Sequence, residues 1–182
     1  MTKYRDSLPQ LSNAFFLTDG GIETTLIFHE GLDLPHFAAF DLLKDKAGYE
    51  ALRKYFCTYA ALAKRYKTGL VLESPTWRAN PDWASQLGYD AEALAEANRK
   101  AIDLLCEIRE EFESEKTPMV ISGCVGPRGD GYVPAETMYA GGARVSRCTD
   151  RHLQPHRGRL GDGDHDELCG RGDRDRARSA RV

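Results

Sequence analysis

Three short stretches of this chain carry side chains that can do chemistry. In Thr18-Asp19-Gly20-Gly21-Ile22-Glu23 an acid precedes two glycines, which allow a ligand to approach the backbone closely, and a second carboxylate follows at Glu23. Such a loop can hold an amino acid, although Asp-Gly-Gly by itself is also the ordinary composition of a tight turn. The second stretch is Glu73-Ser74-Pro75-Thr76-Trp77. The third, from Ser122 to Tyr132, packs four glycines and a proline into eleven residues, which is more than a simple connector needs. Cys124 within it invites reading as a nucleophile, but the histidines nearest in sequence that precede residue 141 are His29 and His36, so no base is at hand for it. Neither a G-x-G-x-x-G nor a Walker A loop is present to suggest a nucleotide. Trp77 and Trp83 can stack on a ligand, yet both read better as wedges between a sheet and a helix.

The elements that must position these loops show in the hydrophobic pattern. Leu52, Tyr55, Phe56, Tyr59, Leu62, Ala63 and Tyr66 recur at intervals of three and four, as do Leu94, Ala97, Ala101, Leu104, Leu105, Ile108 and Phe112, so each set predicts an amphipathic helix. Gly69 offers a stop for the first, and Asp90 stands where its carboxylate can cap the second. Short apolar runs at Ala14 to Leu17, Leu70 to Leu72 and Met119 to Ile121 suit buried strands. The order strand, helix, strand, helix, strand argues for parallel strands with helical crossovers, hence an α/β fold. All three chemical stretches then directly follow strands. That is where a (β/α)8 barrel places its chemistry, and where an open doubly wound sheet places its ligands too.

Taken together, the loops TDGGIETTL, LESPTWRAN and ISGCVGPRGDGY, in this order and spacing, resemble the homocysteine S-methyltransferase family, and the segments LPHFAAFDLL and NPDWASQLGYD support the likeness across about residues 10 to 140. The resemblance implies a TIM (β/α)8 barrel, of which this chain holds about the first three βα units. It implies methyl transfer to the thiol of homocysteine, giving methionine, from a small-molecule methyl donor that the sequence does not specify. It further implies that Asp19, with the amides of Gly20 and Gly21, grips the amino-acid end of homocysteine, with Glu23 as a weaker contributor, and that Thr76 and Gly126 line the pocket. In the family a zinc ion bound by three cysteine thiolates holds the substrate sulfur as a thiolate. Those cysteines lie in later strands, in contexts absent here, and Cys124 falls where the family usually has a small residue. No metal ligand is therefore assigned, and this chain is expected to bind no zinc.

Composition changes sharply near residue 140. Residues 1–140 hold all eight lysines and every Phe, Tyr and Trp, whereas 141–182 hold ten arginines, seven Asp or Glu and seven glycines. A segment so poor in apolar side chains cannot bury enough surface to offset its ordering entropy and is expected to be disordered. Its reading frame explains the break. If one base is dropped near Gly141, permitted codon choices for the observed residues give a family-like string that includes ADLVTAIMT, a plausible next strand. The expected organisation is thus a barrel part over 1–140 and a frameshifted tail over 141–182, with the truncated chain inactive and its open sheet edges prone to aggregation. An alternative is a non-catalytic paralogue that binds an amino acid. A nucleic-acid-binding role for the Arg-rich tail fits poorly, because carboxylates offset most of its charge and it has no aromatic residue for stacking. His165 and Cys169 are spaced like two ligands on a helix, but the glycines around them disfavour one. The five cysteines, Cys57, Cys106, Cys124, Cys148 and Cys169, form no CxxC and are expected as free thiols. No run approaches the roughly 20 apolar residues of a membrane span, and no signal-peptide pattern opens the chain, so a cytoplasmic protein is expected.

Overall fold

In a computed structural model of the chain, residues 3, 4 and 7–131 are described. The tail over 141–182, the expected boundary at 140 and the His165/Cys169 pair lie outside them. Three strands, β1 (Phe16–Thr18), β2 (Gly69–Glu73) and β3 (Met119–Ser122), form a parallel sheet in the order β1-β2-β3. Leu17 pairs with Leu70, and Leu70 with Met119, so the register carries one apolar row across the sheet. Two long helices make the connections, α1 (Lys46–Tyr66) from β1 to β2 and α2 (Ala91–Phe112) from β2 to β3. The α/β class read from the periodicity is the one observed. The first strand begins two residues later than the apolar run suggests, at Phe16 rather than Ala14.

Each helix is delimited by its own residues. Asp45 caps α1, its carboxylate accepting the Gly48 N–H at 2.9 Å, and Asp90 caps α2 by accepting the Ala93 N–H at 2.8 Å. The stop of α1 corrects the expectation placed on Gly69. Lys67 takes the left-handed conformation (φ 54°) that ends the helix, and its N–H returns to the last turn. Gly69 is instead the first residue of β2, and a Cβ there would stand 2.3 Å from the Phe16 ring. Glycine at 69 lets β1 and β2 close up.

The core forms where the buried faces of the helices meet the sheet. Leu52, Phe56, Ala60 and Ala63 of α1 pack with Leu104, Leu105 and Ile108 of α2 around Leu70, Leu72 and Met119. Each fully buried Leu, Ile or Phe contributes roughly 1.5–3 kcal/mol relative to exposure. The long segment between β1 and α1 supplies Leu26 and Phe40, both fully buried, and ends in helical turns at Pro35–Phe37 and Ala39–Lys44. Buried Asp41 in this segment accepts hydrogen bonds from the Tyr89 hydroxyl (2.9 Å) and the Lys44 ammonium (2.6 Å), which satisfies a charge that would otherwise oppose folding.

Candidate functional site

The parallel strands bring the loops after β1, β2 and β3 to one edge of the sheet. After β1, the Tyr55 hydroxyl of α1 lies 2.9 Å from Asp19 Oδ2 and 3.1 Å from the Gly20 carbonyl. A Cβ on Gly20 would come within 3.0 Å of the Tyr59 hydroxyl. Gly21 then opens the helical turn Ile22–Thr24, whose first turn carries Glu23.

The second and third loops are stapled into one unit. The buried Ser74 hydroxyl accepts the Cys124 N–H at 2.9 Å and sits 2.7 Å from Thr76 Oγ1, which donates to the Cys124 carbonyl at 2.7 Å. Thr76 is 1% exposed, and its proton is committed to this staple. Gly126 lies so near the second loop that a Cβ would be 2.1 Å from the Trp77 carbonyl oxygen. Asn80 Nδ2 donates to the Pro127 carbonyl (3.3 Å), and Arg128 makes a paired contact to Asp82 at 2.5 and 2.8 Å. The structure thus places Thr76 and Gly126 at the junction of the two loops, and Asp19, Gly20, Gly21 and Glu23 on the loop beside it.

Trp77 and Trp83, expected as wedges, flank one cation. They enclose the buried Arg78 guanidinium, whose central carbon is 4.2 Å from the Trp77 ring centroid and 3.8 Å from that of Trp83. Arg78 Nη1 donates to the Gly129 carbonyl at 3.2 Å, which ties the two loops once more, while its buried Nε has no hydrogen-bond partner among the described residues.

Three carboxylates and a thiol share this edge. Burial raises Asp19 above the ordinary carboxylate range against the Tyr55 hydrogen bond that lowers it, and the charge of Glu73 raises it further. Burial also raises Glu23, with Asp19 and Glu73 adding to it and Arg78 opposing. The Cys124 thiol is pushed up to about 12 by burial, by the charge of Glu73 and by its hydrogen bond to Glu73, with Glu23 and Asp19 adding to these. A thiol held in this way is no nucleophile at neutral pH. No ion pair engages Asp19, Glu23 or Glu73 among the described residues. The arrangement suits a cationic ligand group such as an ammonium, which lowers the mutual repulsion of the carboxylates.

The described residues do not fit a zinc centre. Cys57 lies in α1, Cys106 in α2 and Cys124 after β3, and no group of three His, Cys, Asp or Glu able to hold a metal occurs among the described residues. Nor is any described helix long and apolar enough to cross a membrane.

Sequence reasoning missed three residues of this edge. Glu73 was quoted within its loop but given no role, although a charge closing the apolar run of β2 at the strand's C-terminal end was a usable signal. Tyr55 was absorbed into the helical stripe, and only its hydroxyl separated it from its neighbours. Arg78 left no signal beyond its place between two tryptophans.

The homocysteine S-methyltransferase family model matches residues 16–160. No curated protein and no solved structure matches the chain.

Proposed function

Because the chain belongs to the homocysteine S-methyltransferase family, whose chemistry is methyl transfer to a thiol, we propose that its site is built for homocysteine and that methionine is the product of the complete machinery. Asp19 takes the substrate ammonium, the amides of Gly20 and Gly21 meet the amino-acid end, and Glu23 deepens the negative potential. Thr76 and Gly126 hold the wall formed by the second and third loops. The observation that carries this reading is the gathering of Asp19, Glu23 and Glu73 at one sheet edge with no ion-pair partner among the described residues. The three parallel strands are read as the opening part of a (β/α)8 barrel in which this edge is the catalytic face. Zinc activation of the thiol has no site among the described residues, so the contribution assigned to them is recognition of the amino-acid end. The 182-residue chain is accordingly proposed to be inactive in methyl transfer, and its segment 141–182 to be translated out of frame.

Titration calorimetry with homocysteine tests the binding role directly. Asp19→Asn keeps the side chain's shape and removes its charge, and a charge-assisted hydrogen bond contributes on the order of 1.5–3 kcal/mol, so affinity should fall about tenfold or more. Unchanged affinity would remove Asp19 from the site. The nucleotide sequence around codons 136 to 145 tests the frame, and a frame-restored chain continued through the remaining strands should form methionine. Methionine formation by the present polypeptide would overturn its assignment as inactive.

A further inference from the structure

The hydroxyl of Tyr55 has one proton and two acceptors within reach, Asp19 Oδ2 at 2.9 Å and the Gly20 carbonyl at 3.1 Å. Tyr55 is 6% exposed, and its ring is held by edge-on contact with Phe56 (centroids 5.2 Å apart) and a tilted contact with Tyr59 (5.1 Å). The position of the oxygen is therefore set by α1, a rigid element, and not by the loop that it touches. A carboxylate presents about four lone-pair sites on two oxygens. The hydroxyl occupies one of them and spans the turn to the next residue's carbonyl.

We infer that Tyr55 is a positioning residue, whose hydroxyl fixes the Asp19 carboxylate and the Gly20 peptide as one unit and so orients the remaining lone pairs of Asp19 towards a ligand's ammonium group. The inference deepens the proposed reading of Asp19 and rests on it. A side chain on a helix holds a loop carboxylate more tightly than the loop alone can, because the glycines that follow Asp19 restrain the backbone least. Burial first, and then the adjoining Asp19 charge, push the Tyr55 hydroxyl upward from its ordinary value, so it remains a donor throughout the pH range in which Asp19 ionises. The other groups that bear on Asp19 and its neighbour Glu23 are Glu73 at the end of β2, Cys124 after β3 and Arg78 in the second loop.

Tyr55→Phe deletes the donor and keeps the ring in its packing. Two readouts on the full chain separate positioning from simple burial of a hydroxyl: the Asp19 carboxyl carbon followed by NMR through a pH titration, and homocysteine binding followed by calorimetry. Tyr49→Phe is the control, since the Tyr49 hydroxyl bonds Glu107 on the outer surfaces of the helices, away from this edge. With Tyr55→Phe, the Asp19 midpoint should move up, because the lost hydrogen bond favoured the ionised form. Homocysteine affinity should fall about fivefold to tenfold, and the control should change neither. An unmoved Asp19 midpoint overturns the inference, as does a moved midpoint with wild-type homocysteine affinity. If the parent chain fails to bind homocysteine while the midpoint still moves, the substrate reading fails and the hold of Tyr55 on Asp19 stands.

Discussion

Gly126→Ala should damage this protein more than its chemistry suggests. The added Cβ would lie 2.1 Å from the Trp77 carbonyl oxygen, 2.5 Å from Trp77 Cδ1 and 2.9 Å from the Trp77 carbonyl carbon. Ordinary contact is about 3.5 Å, so one loop must retreat by roughly 1 Å, and two of the obstructing atoms are backbone atoms that cannot rotate away. That retreat pulls on the Thr76–Cys124 bond at 2.7 Å and the Asn80–Pro127 bond at 3.3 Å. Overpacking costs about 1–3 kcal/mol and each weakened hydrogen bond about 1 kcal/mol, for an expected loss of about 2–4 kcal/mol. The only two tryptophans of the chain, Trp77 and Trp83, both flank Arg78, so a urea transition read by intrinsic fluorescence reports this region. Gly88→Ala is the reference. Gly88 has φ 80° and open space around it, so alanine there adds about 1 kcal/mol of backbone strain without a clash. If Gly126→Ala lowers stability no more than Gly88→Ala does, the close approach of the two loops is not a real constraint.

The carboxylate edge predicts a pH dependence. Asp19 and Glu23 hold their protons more tightly folded than unfolded, so the folded state binds more protons just above the ordinary carboxylate range, and the stability they contribute is lost as pH rises through that window. The double variant Asp19→Asn, Glu23→Gln should therefore be more stable than the parent at about pH 7 in urea titrations, with the difference shrinking towards about pH 4; lower stability at pH 7 would contradict the desolvation argument. Cys124, pushed up to about 12, should resist iodoacetamide at about pH 8 roughly a thousandfold better than an unperturbed thiol does, and peptide mapping that finds it rapidly alkylated in the folded chain would refute its burial against Glu73. Lys67→Gly should raise stability by about 1 kcal/mol by relieving the left-handed conformation that ends α1, and a lowered urea midpoint would show that the lysine side chain makes a compensating contact.

The sequence revealed elements better than side-chain partnerships, and the reason is physical. Periodicity reports burial on one face, so the stripes from Leu52 and Leu94 located α1 and α2, and Asp90 was readable as a cap because its partner lies three residues away. The stop at Lys67 was hidden, since a lysine in the left-handed region carries no compositional mark and Gly69 two residues later offered a plausible substitute. Gly69 and Gly126 both permit close approaches between segments distant in sequence, with Phe16 and Trp77 respectively, and no local pattern encodes a distant neighbour. The same limit hid the pairing of Tyr55 with Asp19 across 36 residues and the enclosure of Arg78. Thr76 and Gly126 entered only through the family resemblance, as residues lining a pocket, and nothing in the sequence showed that they join two loops.

That junction bears on what the edge costs the fold. Asp19 is pushed towards its neutral form by burial and then by Glu73, Glu23 by burial and then by Asp19 and Glu73, and among the described residues the cation that opposes the shift of Glu23 is Arg78, itself enclosed by tryptophans. Stability alone would favour replacing these acids. The stapled second and third loops follow Glu73 at the end of the central strand, while α1 holds Asp19 through Tyr55, so Asp19 cannot swing away into water without breaking that hydrogen bond. Repulsion retained in this way is relieved only by a proton or by a bound cation. An amino acid's ammonium supplies the second at neutral pH, and its binding should raise the stability of the folded chain by mass action. A urea midpoint that rises with homocysteine in the parent, and rises less at the same homocysteine concentration in Asp19→Asn, is the expected result. An equal rise in both would mean that the stabilising contact lies elsewhere than at this carboxylate.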